Sequence, residues 1–248
     1  MNFELHVLLF FILFAVAFLY ASVGHGGASG YLAVLSLFGI SIVSLKYSAL
    51  VLNIFVSALA FFQYYRAGHF RWKLFYPFAM FSVPFAFMGG ALSVDPFWYK
   101  KLLGLCLVLA VGRIIFSFIR QEEPADFSPV PVKLAALFGS SIGFLSGLIG
   151  IGGGIILSPV ILLMKWGSTK QTSAASALFI FVNSVAALIG LKFQKVDIST
   201  YNIFPWLIAA LAGGMMGSYW GSKKASAVVL KNVLAAVLLF AAVKLILV

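Results

Sequence analysis

Charge is what this sequence most lacks. Only 9% of its 248 residues are Asp, Glu, Lys or Arg, against about 25% in an ordinary soluble domain. A chain so poor in charge, and 63% hydrophobic, does not cover a globular surface in water. Runs without a charged residue separate Glu4 from Lys46, Lys46 from Arg66, Lys73 from Asp95, Lys133 from Lys165, Lys170 from Lys192 and Asp197 from Lys223. A bilayer-spanning helix needs roughly 20 apolar residues, and most of these runs supply them. Acids are scarcer still. All six lie at segment ends or in one linker, which disfavours a proton or sodium relay built on a buried carboxylate. There is a single cysteine, Cys106, so an internal disulfide and a dithiol redox carrier are both excluded. No Gly-rich phosphate loop ending in Gly-Lys-Ser/Thr is present, so the chain does not hydrolyse ATP itself. The first apolar run follows an acid, with no Lys or Arg before it, and does not read as a removable signal peptide.

What is present is basic, apolar and repeated. The net charge of +11 does not indicate nucleic acid. The 17 Lys and Arg are spread thinly over the ends of apolar runs, where they anchor helices and set topology. Residues 121–131, QEEPADFSPVP, hold three of the six acids and three of the eight prolines. This stretch divides the chain into a first transmembrane repeat (1–120), a polar linker (121–132) and a second repeat (133–248). The halves resemble each other. At a spacing of 126, Phe18-Leu19 matches Phe144-Leu145. Gly24, Gly26 and Gly27 match Gly150, Gly152 and Gly153, and Ile54-Phe55-Val56 matches Ile180-Phe181-Val182. Common order at constant offset marks an internal repeat. The expected fold is an all-α polytopic membrane protein of two homologous halves. Segments fall roughly at 5–23, 29–45, 47–65, 74–94 and 101–119, then at 133–149, 155–166, 171–191, 201–221 and 229–247.

If each Gly-broken pair crosses twice, or dips in and returns, each half crosses an odd number of times and the halves are inverted. That count groups Arg66, Arg71, Lys73, Arg113, Arg120, Lys133, Lys165, Lys170, Lys223, Lys224 and Lys231 on one side. It leaves Lys46, Lys100, Lys101, Lys192, Lys195 and Lys244 opposite. The positive-inside rule favours this inverted arrangement, with both termini outside the cytoplasm.

Chemistry concentrates at two glycine clusters, Gly24-His25-Gly26-Gly27-Ala28-Ser29-Gly30 and Gly150-Ile151-Gly152-Gly153-Gly154. Irregular backbone at membrane depth is tolerated where protein or a wet cavity satisfies it. A break that opens a new helix presents N–H groups at the positive end of its dipole, which attracts anions. Two such breaks are expected to leave helical geometry and meet near the midplane, as in transporters with discontinuous helices. Gly39, Gly89, Gly90, Gly213, Gly214 and Gly217 read instead as close-packing glycines. The remaining candidate substrate ligands are neutral hydrogen-bonding residues: His25, Ser29, Asn53, Thr172, Ser176 and Asn183. For any one of them interhelical packing is the plain alternative. Lys46 and Lys170 sit just before the polar helix of each half, as topological anchors or as charges at the two mouths.

The chain resembles the sulfite exporter TauE/SafE family of membrane permeases. The resemblance rests on the Gly-rich break in each half, the Gly-Ile-Gly-Gly-Gly…Pro element at 150–159, the Thr/Ser-rich helix carrying Asn183-Ser184, Asn53, and Tyr-Tyr-Arg-Ala-Gly-His at 64–69. The first-half motif departs from the second, with His25, Ala28 and Ser29 in place of Ile151, Gly154 and Ile155. The resemblance implies a secondary transporter of sulfite, organosulfonates or related sulfur oxyanions in a bacterial inner membrane. It implies no cofactor, no nucleic-acid partner and no enzymatic activity. The partners are a small anionic substrate and the bilayer, with a homodimer left open. An anion channel is the alternative. A more distant one is an intramembrane serine hydrolase, since Gly27-Ala28-Ser29-Gly30 spells a nucleophile motif that needs a histidine base.

Overall fold

The structure is a computed structural model. It describes residues 3–36, 38, 40–95, 97–99, 101–102, 104–105, 108, 112, 127–194 and 203–223. The expected tenth segment, most of the fifth, half of the linker, and Gly39, Lys100, Cys106, Arg113, Arg120, Lys195, Lys224, Lys231 and Lys244 lie outside the described residues.

Eight helices are delimited among the described residues: α1 (Phe3–Ser22), α2 (Ala28–Ser36), α3 (Ile42–Arg66), α4 (Trp72–Ala91), α5 (Val132–Ile149), α6 (Gly154–Leu163), α7 (Thr169–Lys192) and α8 (Phe204–Lys223). Four of them, α3, α4, α5 and α7, are long and apolar enough to cross a membrane by length and composition. α2 and α6 have nine and ten residues. At 1.5 Å per residue they reach about 14–15 Å, half the hydrocarbon core, so neither spans it alone.

Local sequence explains most of these limits. Ser41 caps α3 by accepting from the Ser44 N–H, and Ser168 with Gln171 forms a capping box at the start of α7. Such caps satisfy N–H groups that the first turn leaves orphaned. The Ser41 cap also corrects the expected segment 29–45. The helix opened at Ala28 stops at Ser36, and Ile42–Leu45 belong to α3 instead. Lys46 therefore lies inside a helix rather than before one.

Helix directions follow from which residues touch. Gly139, Gly143 and Gly147 of α5 press on the backbone of Phe78, Ser82 and Ala86 of α4, so these two helices run parallel. Gly213, Gly217 and Gly221 of α8 press in the same way on Phe14, Phe18 and Ser22 of α1, again parallel. Small residues at every turn let whole backbones approach, the usual means of helix association in lipid. Gly89, Gly90, Gly213, Gly214 and Gly217 all pack as expected of them. α3 and α7 run antiparallel. Asn53 bonds Ser184, Leu50 packs with Ala187 and Leu191, and Tyr64 at the far end of α3 bonds Ser22, whose neighbour Val23 is held by Ser173.

Packing does not follow chain order. One apolar core joins α1, α2, the first half of α3 and Trp206, Ala209 and Ala210 of α8. A second joins α4, α5, α6 and the early part of α7. A small cluster at the α3–α7 crossing lies beside them.

Candidate substrate site

The two glycine breaks are built alike. Residues 23–27 and 150–153 leave helical geometry. Gly24 and Gly150 end α1 and α5 at φ +75° and +91°, and Gly27 and Gly153 follow at +95° and +76°. A side chain is strained in this left-handed region. The closing hydrogen bonds repeat as well: the His25 N–H donates to the Tyr20 carbonyl, and the Ile151 N–H to the Ser146 carbonyl. Gly24 and Gly150, and Gly27 and Gly153, thus adopt matched conformations, whereas Gly152 (φ +73°) has positive φ and its match Gly26 does not.

Both breaks converge on one residue. A Cβ on Gly26 would strike the Asn53 amide oxygen, and a Cβ on Gly152 the Asn53 amide nitrogen. The same two positions approach Ile180 Cγ2, at 3.0 and 2.8 Å. Asn53 is the twelfth of the 25 residues of α3, and Ile180 the twelfth of the 24 of α7. The meeting point is therefore midway along both helices. There the Asn53 Nδ2 donates to Ser184 Oγ at 2.9 Å, and its Oδ1 accepts the Ala28 N–H, in the first turn of α2, at 3.2 Å. α2 and α6 both begin at this level, so their N-terminal, partially positive ends face the same place.

A second polar chain runs beside the first. His25 Nδ1 meets the Val23 carbonyl at 2.8 Å and must donate to it. His25 Nε2 lies 3.1 Å from Ser158 Oγ, which lies 2.8 Å from Ser176 Oγ. The chain thus ties the first break to α6 and α7. His25, Asn53, Ser158, Ser176 and Ser184 are all buried. No acid of the chain falls in the interior of α2, α3, α6 or α7, so among the described residues the meeting point consists of neutral groups and helix ends.

The other sequence-derived candidates are placed unevenly. Gly24 abuts Ser173, and Gly154 abuts Ile180 and the Ser176 carbonyl. Ser29 faces away, with its hydroxyl 2.7 Å from Tyr20 Oη on α1. Asn183 donates to the Phe179 carbonyl of its own helix. Asn183 Oδ1 and Thr172 Oγ1 are buried without a hydrogen-bond partner. So are two hydroxyls beside the breaks, Tyr31 Oη against Gly27 and Ser146 Oγ, whose Cβ faces Gly153. A buried polar group left unpaired costs about 1–3 kcal/mol, and one such hydroxyl lies beside each break.

Tyr31 and Ser146 escaped the sequence reading, and Ser158 entered it only within the 150–159 element, not as a ligand. Each looks like an ordinary core or packing residue on an apolar helix. The available signal was spacing, since Tyr31 follows Gly27 by four residues and Ser158 follows Gly154 by four. Each therefore shares a helix face with a break glycine.

Comparison with known proteins agrees with this architecture. The sequence profile described as sulfite exporter TauE/SafE matches residues 9–245. A probable membrane transporter protein of Sinorhizobium fredii, y4hK, is 38% identical over 239 residues, covering 94% of each chain. A probable membrane transporter protein of Bacillus subtilis, YdhB, is 26% identical over 226 residues, covering 88% of this chain and 89% of the relative. One from Methanocaldococcus jannaschii is 28% identical over 150 residues, 59% of this chain and 55% of its own. No solved structure matches the chain.

Proposed function

The chain belongs to the sulfite exporter TauE/SafE family and is an integral membrane transporter, and from that premise we propose that it carries small sulfur oxyanions or organosulfonates across the cell membrane by alternating access. The observation that carries this reading is the convergence of both glycine breaks on Asn53. Each helix beginning there presents about half a positive charge. Two together offset roughly one negative charge without a buried lysine or arginine. The unpaired Tyr31 and Ser146 hydroxyls add neutral donors of the kind that replace an anion's hydration shell. A cation at the same point would be repelled by the positive ends of both helices.

Inverted halves are part of the proposal. The antiparallel α3 and α7 support it, as does the grouping of charges by end. Arg71 bonds Gln171 at the start of α7, which places the α3–α4 loop there. Gly221, near Lys223, presses on Ser22, which Tyr64 at the end of α3 bonds. Lys192 lies at the opposite end of α7. That grouping matches the positive-inside rule if the α3–α4 loop is cytoplasmic. The two apolar cores, one including residues of α3 and the other residues of α7, suit rocking of one bundle against the other around a fixed midplane site.

A catalytic role for Ser29 finds no support. Its hydroxyl is engaged by Tyr20, and His25 faces Ser158 instead.

Uptake into proteoliposomes tests the proposal, comparing sulfite, sulfate, thiosulfate, methanesulfonate and taurine with and without a pH gradient. Saturable flux of at least one of them is expected. Flux that rises linearly with concentration would make the protein a channel. Absence of flux for the whole set from monodisperse protein would remove the substrate class.

A further inference from the structure

A buried cation stands apart from this midplane site. Lys46, in the second turn of α3, is only 4% exposed. Among the described residues its Nζ has one hydrogen bond, to the Gly90 carbonyl at a long 3.4 Å. That carbonyl is already held by Gln194 Nε2 at 2.7 Å. Among the described residues no carboxylate lies within ion-pair distance of Lys46. An ammonium group has three donors and a large hydration free energy to replace. One shared, long bond does not replace it.

The surroundings are shaped to hold something. Lys46 lines a cleft of about 140 Å³ that opens at the membrane end formed by the start of α3 and the ends of α4 and α7, with Ser93, Tyr99, Leu148 and Gln194 among its walls. Tyr99 donates to the Ile149 carbonyl and Gln194 to the Gly90 and Leu92 carbonyls. Their donors are thereby spent on backbone, and Lys46 keeps spare ones. The Lys46 side chain also lies against the second glycine break, since a Cβ on Gly150 would sit 2.9 Å from Lys46 Cγ. The cleft is thus next to the midplane site on the way to one face. The counterpart in the other half differs: Lys170, at the start of α7, is exposed. The two mouths are not equivalent.

We propose that the cleft at Lys46 is an anion-binding vestibule, in which the lysine ammonium holds a sulfonate or sulfur oxyanion before it passes the Gly150 break. The proposal rests on the anion-transport reading for the nature of the physiological ligand, and its test does not.

Ser93 is exposed on the cleft wall. In a Cys106→Ala background, Ser93→Cys is labelled with two methanethiosulfonates of similar size, one bearing a sulfonate and one a trimethylammonium group. A positive charge in the cleft makes the sulfonate reagent the faster of the two. Lys46→Met should lower the rate ratio by about tenfold, and Lys46→Arg should keep it. Methanesulfonate should slow labelling with Lys46 in place and not in Lys46→Met. Lys46→Gln serves the same comparison if the Met variant is not monodisperse. A ratio unchanged by removal of the lysine charge, or protection that persists without it, overturns the vestibule. If the ratio behaves as expected while no sulfur anion is transported, the transport reading fails and the vestibule stands.

Discussion

Asn53→Asp is the sharpest perturbation of the midplane site, because it changes charge and almost nothing else. The amide now accepts from the Ala28 N–H and donates to Ser184 Oγ. The carboxylate keeps the shape and the acceptor, and the Ser184 hydroxyl can turn to donate to it. Loss of one neutral hydrogen bond costs about 1 kcal/mol. Attraction to the N-terminal ends of α2 and α6 offsets part of that, about 0.3–1 kcal/mol for each helix end. Desolvation of the buried carboxylate costs several kcal/mol more, so the variant should be less stable than wild type and its flux is read per folded molecule. Substrate binding should be lost. An anion held about 4 Å from the new carboxylate is repelled by about 4 kcal/mol at an effective dielectric of about 20, close to a thousandfold in affinity. Asn53→Ala removes the same bonds without adding charge. At about 1–2 kcal/mol it should weaken apparent affinity roughly five- to thirtyfold. The assay is anion flux in proteoliposomes, normalised to monodisperse protein, with thermal stability measured alongside. If Asn53 is only interhelical glue, both variants lower stability and leave flux per folded molecule intact. Flux of Asn53→Asp within about threefold of wild type at substrate concentrations below KM would refute the anion site.

Gly26→Leu and Gly152→Leu place a side chain on the Asn53 amide and should abolish flux. Gly147→Ala, which presses on the Ala86 carbonyl at the α4–α5 contact, should lower stability and yield with normal flux per folded molecule. Asn183→Ala removes only a bond to the Phe179 carbonyl of its own helix. It should change flux by less than about threefold, which kinetics alongside Asn53→Ala will check. Single cysteines at His69 and Lys223 should be labelled from one side of the membrane and one at Lys192 from the other; labelling of His69→Cys and Lys223→Cys from opposite faces would end the inverted arrangement. His69, in the α3–α4 loop, titrates below the usual histidine range because partial burial and then the Lys170 charge disfavour its protonated form. Its neutral form therefore favours the fold above the ordinary histidine pKa, and that contribution fades as pH falls below it. In NMR titration, Lys170→Gln should raise the His69 midpoint.

Much of this architecture was legible because lipid imposes simple rules. Charge-free runs of spanning length announce helices, and the observed α1, α3, α4, α5, α7 and α8 lie within a few residues of the expected segments. The two glycine breaks were legible for a related reason: consecutive glycines carry no side chain to hold a helix together, and they recur at a spacing of 126 residues. Where sequence reasoning slipped, a local cap outweighed hydropathy. Ser41 starts α3 early, ends the expected segment 29–45 at Ser36, and carries Lys46 into the helix and under cover. The choice among the polar residues was decided only by tertiary contact. Ser29 and Asn183 are as polar as Asn53 on paper, yet Ser29 turns to Tyr20 and Asn183 to its own backbone. Asn53 alone among these three stands where two breaks from distant parts of the chain arrive together. Periodicity and composition specify which segments enter the bilayer, since each segment meets lipid by itself. They do not specify which faces then meet each other. That depends on glycine stripes fitting against carbonyls of helices far away in sequence, as α4 fits α5 and α1 fits α8, and only the folded chain brings those surfaces together.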